Sequence, residues 1–337
     1  MKTLDFKEIN RLVEQGYIAV QQHPAYDLKI YNYTPKAQFD NFWTDEIMAC
    51  RGLITDSQHN IVARPFKKFF NIEQHETLPN EPFEVYDKLD GSLGILYFAN
   101  GAPQISTRGS FVSEQAVMAN QLLQQKYHHV RFDSHLTYLF EIIYPGNRIV
   151  VDYGDLEDLY LLAIIETESG NDIPLQDIGF PMVEKIDGIK DLRQLKDLEE
   201  SNKEGFVIKF QNGFRVKAKF EEYKRLHKLL TGVSARNVWE CLKSESGIAP
   251  LIERVPDEFY DWVKKTEAEL LKKYAEIEKK CKQDFKDTGN RKENALYYQT
   301  CKYPSVLFSM LDGKDYSDYI WKIIKPSGDY HFRCDSR

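Results

Sequence analysis

Between about residues 25 and 225, the apolar positions fall in short stretches of Tyr, Phe, Ile and Val, divided by the turn pairs Asp56-Ser57, Asn100-Gly101, Asn171-Asp172 and Asn212-Gly213. Such runs predict many strands and few helices, a sheet-rich α+β core. From about residue 230 the period changes. Phe259, Trp262, Val263, Leu270, Leu271, Tyr274, Ile277 and Cys281 recur three or four residues apart between Pro256 and Gly289, which predicts one long amphipathic helix. The expected organisation is a mixed domain over residues 1–230 and an all-helical domain over 231–337, with no internal repeat or low-complexity segment.

One hairpin can be read closely. Phe206 to Gln211 and Phe214 to Phe220 flank Asn212-Gly213, the pair favoured in a two-residue type I′ turn. That turn predicts residue 208 opposite 217 and 206 opposite 219. Glu204, Phe206, Ile208, Phe210, Arg215, Lys217 and Lys219 would then share one side, with Val207, Val216, Ala218 and Phe220 on the other.

Composition changes this picture only locally. The 337 residues carry a formal net charge of −7, with 42% hydrophobic and 29% charged positions, which excludes a disordered or collagen-like chain. The acidic balance argues against binding nucleic acid through uniform positive charge. Lys203 to Lys228, however, holds eight basic residues against three acidic ones. Five scattered cysteines, Cys50, Cys241, Cys281, Cys301 and Cys334, without a CxxC pair, suit neither a disulfide framework nor a zinc site. The first residues have no apolar signal core, and the longest apolar runs fall short of the roughly 20 residues of a membrane span. A soluble, cytoplasmic protein with no membrane partner is expected.

The candidate chemistry starts at Val85-Tyr86-Asp87-Lys88-Leu89-Asp90-Gly91-Ser92, which sets Lys88 where a strand runs into a turn. A lysine attacks phosphorus only as the neutral amine, a form favoured by burial and nearby cations. Lys217 and Lys219 are candidates for those neighbours. By itself Lys-x-Asp-Gly is more often a plain turn.

Further elements stand around it in order: Arg51-Gly52-Leu53-Ile54, Lys68-Phe69-Phe70-Asn71, Phe140-Glu141, Pro145-Gly146-Asn147-Arg148-Ile149-Val150, Glu204-Gly205-Phe206-Val207 and Lys217-Ala218-Lys219. The set resembles the motifs of the covalent nucleotidyltransferases, the superfamily of ATP-dependent ligases and mRNA capping enzymes. Tyr31-Asn32-Tyr33, Arg108-Gly109-Ser110, the Ser113 to Asn120 block, Tyr223 and Leu226-His227 sharpen the likeness to the RNA ligase 1 family, over roughly residues 29 to 228.

The resemblance implies a nucleotidyltransferase core of antiparallel sheets with helices, related to ATP-grasp-like ligases. It also implies an RNA ligase (ATP) in which Lys88 attacks the α-phosphorus of ATP, forms lysyl-AMP, passes the AMP to an RNA 5′-phosphate and so allows sealing by a 3′-hydroxyl. By the same likeness, Lys217 and Lys219 hold the α-phosphate, Arg51, Lys68 and Arg108 contact phosphates, and Glu141 accepts from the ribose hydroxyls. Tyr31, Phe70, Gly91 and Tyr223 belong to the nucleotide pocket, while Phe69 reads as core. Glu204 and Asp90 would reach Mg²⁺, with Mn²⁺ as a substitute, through water. An ion pair between Glu204 and Lys219 is the plainer reading of Glu204. Arg108 departs from the lysine of the family's best-known member and offers a planar fork in place of a point charge.

The implied partners are single-stranded or nicked-loop RNA, with tRNA repair as one setting, in the cytoplasm of a bacterium or a phage-infected host. Repair would require a kinase-phosphatase to heal the ends, since no Gly-x-x-x-x-Gly-Lys-Ser/Thr loop occurs here. The rivals are a DNA ligase, a capping guanylyltransferase and a nucleotide-binding RNA sensor that no longer ligates. Residues 231–337 match nothing securely and are read as an RNA-specificity region.

Overall fold

The computed structural model describes residues 4–231, 234–244, 247–248, 251 and 260–326. The chain divides into two compact units, Met1–Leu230 and Thr231–Arg337.

The first unit opens with helix α1 (Phe6–Glu14), whose N-cap Asp5 accepts from the amides of Lys7 and Glu8. A four-stranded antiparallel sheet follows in the order β1 (Ile18–Gln22), β2 (Leu28–Tyr33), β3 (Arg51–Asp56) and β4 (Ile61–Ala63), with α2 (Pro35–Phe39) and α3 (Asp45–Ala49) between β2 and β3. Ile9 and Leu12, one helical turn apart, are buried against Ile18, Tyr31, Ile47 and Leu53.

Two five-stranded sheets carry the rest. The strands are β5 (Phe70–Asn71), β6 (Phe83–Asp87), β7 (Ser92–Ala99), β8 (Ala102–Thr107), β9 (Leu136–Ile143), β10 (Asp158–Glu166), β11 (Asp172–Ile173), β12 (Lys185–Ile186), β13 (Gly205–Phe210) and β14 (Arg215–Lys219). One sheet has the order β11-β10-β9-β7-β8 and the other β12-β6-β13-β14-β5. Pairing is antiparallel except between β14 and β5. Helix α4 (Glu114–Lys126), capped by Ser113, sets Ala119, Leu122 and Leu123 against Phe140, Ile142 and Leu159. Helix α5 (Glu221–Thr231) follows the last strand.

The two Asn-Gly pairs behave differently. Asn100 and Gly101 both have positive φ, 51° and 79°, and join Ala99 to Ala102 as a two-residue turn. At the other pair, Gly213 has a φ of +84°, and the amide of Phe210 bonds to the carbonyl of Phe214, so the loop is Gln211-Asn212-Gly213. This is a type I turn followed by a left-handed glycine, the three-residue hairpin. The expected register is therefore wrong by one: Lys217 faces Val207, Lys219 faces Gly205 and Ala218 faces Phe206. The faces change with it. Phe206, Ile208 and Phe210 leave the charged side and join Val216 and Phe220 in an apolar cluster with Val85 and Val151. Lys209, Arg215, Lys217 and Lys219 keep the other side.

The helical unit contains α6 (Ala235–Lys243), α7 (Tyr260–Asp284), α8 (Arg291–Thr300), α9 (Pro304–Leu311) and α10 (Ser317–Ile323). Along α7, Val263, Leu270, Ile277 and Cys281 are buried, whereas Leu271 is 45% exposed and lies off the apolar stripe. Pro256, Phe259 and Cys334 lie outside the described residues. The indole of Trp239 donates to the carbonyl of Trp321 at 2.8 Å. Cys50, Cys241, Cys281 and Cys301 are free thiols. No helix among the described residues is long and apolar enough to cross a membrane.

Candidate active site

Strand β6 delivers Lys88 just past its end, where the Lys88 amide continues the ladder by bonding to the carbonyl of Gly205 at 2.8 Å. The charged face of this sheet then has three rows. Lys88, Gly205 and Lys219 form the first; Tyr86, Val207 and Lys217 the second; Glu84, Lys209 and Arg215 the third. Alternate residues of a strand stand about 6–7 Å apart, so Lys217 lies one such step from Lys219.

Glu204 joins the first row through its neighbour. Gly205 has a φ of +142°, and a Cβ there would meet the carbonyl oxygen of Ala218 at 2.0 Å. That twist breaks the alternation and turns Glu204 away from the side of Phe206. Its Oε2 accepts from Lys88 Nζ at 2.7 Å and its Oε1 pairs with Lys219 Nζ at 2.9 Å. Burial pushes the Glu204 carboxyl up, but the two ammonium groups outweigh it and hold the group below its ordinary value. The expected Glu204–Lys219 pair is thus present, with Lys88 as its third member.

Glu141 comes from β9 in the other five-stranded sheet, and its Oε1 accepts from the amide of Gly91 at 2.9 Å. Burial raises its carboxyl to about 7, opposed by Lys88 and reinforced by Glu204 and Asp90. A Cβ on Gly91 would lie 2.6 Å from the carbonyl of Ile142, so only glycine allows this approach.

Further cations gather at Tyr33 of the four-stranded sheet. Arg108 Nη1 donates to the hydroxyl of Tyr33 at 2.8 Å. Burial lowers the Arg51 guanidinium, which also feels Tyr33, Arg108 and Glu141, and its Nη1 is buried with no hydrogen-bond partner. Lys68 Nζ donates to Gln38 at 3.1 Å and lies 5.4, 5.6 and 5.5 Å from the ring centres of Tyr33, Trp43 and Phe70. Phe69, expected in the core, is only partly buried; the Arg51 guanidinium lies 5.6 Å from its ring.

Arg51, with an unsatisfied guanidinium nitrogen, beside Arg108 and the buried Lys68, suits an anion with several oxygens such as a polyphosphate. Among the described residues no group of three or more His, Cys, Asp or Glu side chains is arranged so that it could hold a metal ion. A divalent ion here would need one or two carboxylates and the oxygens of a bound phosphate, the usual habit of magnesium, and Glu204 fits as such a carboxylate. A cavity of about 1130 Å³ opens beside this centre, lined by Lys68, Phe70, Tyr86, Lys209 and Arg215 but by none of Lys88, Glu141, Glu204, Lys217 and Lys219. The chemistry is located by the paired side chains rather than by that space.

Comparison with known proteins gives the family of the chain. The sequence profile of the RNA ligase family matches residues 49–223, more than half of the chain. The chain belongs to this RNA ligase family. Its relatives include a provisionally named bifunctional polynucleotide kinase/RNA ligase of Autographa californica nuclear polyhedrosis virus, 28% identical over 261 residues, which cover 65% of this chain and 36% of that protein. The RNA ligase of a Rhodothermus phage is 26% identical over 194 residues, covering 43% of each. The chain thus spans less than half the length of these two relatives. An archaeal ATP-dependent RNA ligase structure aligns with 77% of this chain and 70% of its own at 16% identity and a TM-score of 0.48.

The RNA ligase match contains every expected site residue except Tyr31. Tyr31 is 2% exposed in the apolar cluster of the four-stranded sheet, its ring edge-on to Phe6. Its neighbour in the motif, Tyr33, is the one that meets Arg108 and Lys68. Asp90 also departs from expectation. It is 3% exposed, its Oδ2 accepts from the amides of Val150 and Val151, both at 2.8 Å, and its Oδ1 accepts from the Tyr223 hydroxyl at 2.8 Å. Three donors occupy the carboxylate that was expected to reach metal-bound water. Tyr223, expected in the nucleotide pocket, is itself 3% exposed and directed at Asp90.

Gln38, Trp43, Tyr153 and Asn147 were not singled out from the sequence. Asn147 lies inside a quoted motif and ties Ser92 to the carbonyl of Ile142. Gln38 and Trp43 follow no motif, and only the fold brings them to Lys68.

Proposed function

We propose that the protein is an ATP-dependent RNA ligase that joins 3′-hydroxyl and 5′-phosphate ends through lysyl-AMP on Lys88 and an adenylated RNA 5′ end. The observation that carries the proposal is the buried Glu204 carboxylate held between Lys88 Nζ and Lys219 Nζ, at 2.7 and 2.9 Å. An isolated amine on a strand end has no defined direction. Glu204 gives it one, and its Oε2 stands at the distance of a proton acceptor when the Lys88 nitrogen bonds to phosphorus and pyrophosphate leaves. Lys217 and Lys219 would neutralise the non-bridging oxygens of the α-phosphate, while Arg51, Lys68 and Arg108 would hold the rest of the triphosphate. Glu141 would fix the ribose, and Phe70 and Gly91 complete the nucleotide pocket. Bound magnesium, or manganese in its place, would add charge neutralisation at the phosphates, with Glu204 as its carboxylate.

In this reading residues 1–230 are the adenylyltransferase domain and residues 231–337 select the RNA. Single-stranded or nicked-loop RNA, tRNA among them, is the proposed substrate, and the cytoplasm of a bacterium or phage-infected host its setting. A kinase-phosphatase partner is consistent with the relative whose name couples polynucleotide kinase to RNA ligase.

Incubation with labelled ATP and magnesium is expected to leave acid-stable label on the protein, and Lys88→Ala to abolish it. Label that persists in Lys88→Ala would show another nucleophile. Sealing of 5′-phosphorylated DNA but not RNA would overturn the substrate assignment.

A further inference from the structure

Asp90 gathers four hydrogen bonds from distant parts of the chain. Besides the bonds from Val150, Val151 and Tyr223 to its carboxylate, its own amide donates to the hydroxyl of Tyr153 at 2.8 Å. The partners lie 60 to 133 residues away in sequence, on the loop after β9 and on α5. Tyr223 has a second contact, since Lys219 Nζ lies 5.0 Å from the centre of its ring.

These contacts close a circuit. It runs from Lys88 along two peptide units to Asp90, then to Tyr223, across its ring to Lys219, through Glu204 and back to Lys88. A carboxylate accepts along about four lone-pair directions, and three are used here by donors that are themselves buried or in the backbone. An exposed metal ligand would be built otherwise. We infer that Asp90 and Tyr223 form a positioning pair: Asp90 fixes the nucleophile loop, and Tyr223 links that loop to the position of Lys219. Neither touches substrate. The inference rests on the proposed adenylation of Lys88 and concerns how that lysine is aimed.

Physically, the pair acts as one unit. Removing the Tyr223 hydroxyl leaves one Asp90 oxygen without its donor, and replacing Asp90 by Asn puts an N–H donor where one of the two accepting oxygens stood. Either change frees the same two elements, so the second adds little once the first is made.

The test is a double-mutant cycle on single-turnover lysyl-adenylation, with Tyr223→Phe, Asp90→Asn and the double variant, each titrated with magnesium. Both single variants are expected to slow label formation at saturating ATP by at least tenfold, with KM for ATP changed less than threefold. The double variant should be no more than threefold slower than the worse single. The magnesium concentration for half-maximal rate should stay at the wild-type value in all three. A magnesium requirement raised tenfold in Asp90→Asn but not in Tyr223→Phe would make Asp90 a metal ligand and overturn the inference. Multiplicative losses in the double variant, or wild-type rates in Tyr223→Phe, would overturn it as well. Tyr223→Phe removes a single hydroxyl and carries the test if Asp90→Asn does not fold. Absence of label on the wild-type protein would instead overturn the proposed function, and this inference with it.

Discussion

The hairpin sheet and the helical unit are both rich in lysine and glutamate, yet they use them in opposite ways. On the sheet, the Lys219 and Glu204 side chains are 7% and 3% exposed and share a third partner in Lys88. On α7, Lys282 and Glu278 pair four residues apart with side chains 56% and 30% exposed, and Lys280 and Asp284 repeat the arrangement. A surface pair is worth little, because water solvates each charge almost as well as the partner does. A buried pair must be complete, because a charge left alone in the interior has lost its solvent. What separates the regions is the cost of removing one member.

That difference can be broken by single substitutions. Lys219→Ala is expected to abolish lysyl-adenylation and to lower stability by about 3 kcal/mol, measured by denaturant unfolding, since buried Glu204 loses one of its two cations. An adenylation rate within tenfold of wild type would remove Lys219 from the site. Gly205→Ala should cost about 2–3 kcal/mol and most of the activity, because a φ of +142° and a carbonyl 2.0 Å from the new Cβ leave the residue no relaxed conformation. A fully active, stable Gly205→Ala protein would refute the role of the twist.

Glu141 sharpens the comparison by pH. Its folded-state pKa, about 7, lies above its ordinary 4.5, so the native state binds more protons than the unfolded chain between those values. Its contribution to stability is full below about 4.5 and is lost as pH rises through about 7. Relative to Glu141→Gln, the nucleotide-free wild type should therefore lose stability from about pH 4.5 to 7 and run parallel above, which unfolding midpoints across that range would check. Lys282→Ala marks the other extreme: an unfolding midpoint indistinguishable from wild type and unaltered labelling are expected. A large loss there would erase the contrast.

Much of this was legible in advance because the motif residues are local. Lys88, Gly91, Glu204, Lys217 and Lys219 sit within short strings whose order survives in the sequence, and the change from short strands to a long helical period marks the two textures. The register of the hairpin was not legible. Asn-Gly satisfies a two-residue turn at residue 100 and a three-residue loop at residue 212, and the pair alone does not say which. Asp90 and Tyr31 make contacts that the motifs do not announce, for a related reason. A motif names a residue type, while the direction of a side chain depends on donors 60 or more residues away, such as Val150 and Tyr223. Trp43 and Gln38 illustrate the limit, since their approach to Lys68 is a product of tertiary packing alone.

The three-residue loop and the twist at Gly205 are two odd offsets on one strand, and together they restore even parity. The longer loop brings residue 205, rather than 206, opposite Lys219, and the twist returns Glu204 to the lysine side. Neither can be edited alone. Deleting one loop residue to make a tighter hairpin would exchange the roles of odd and even positions along β14. Phenylalanines would then meet lysines, whatever residue stood at 205. Loop length at residues 211–213 thus decides which β13 side chains the lysines meet, while the twist at Gly205 decides where Glu204 points.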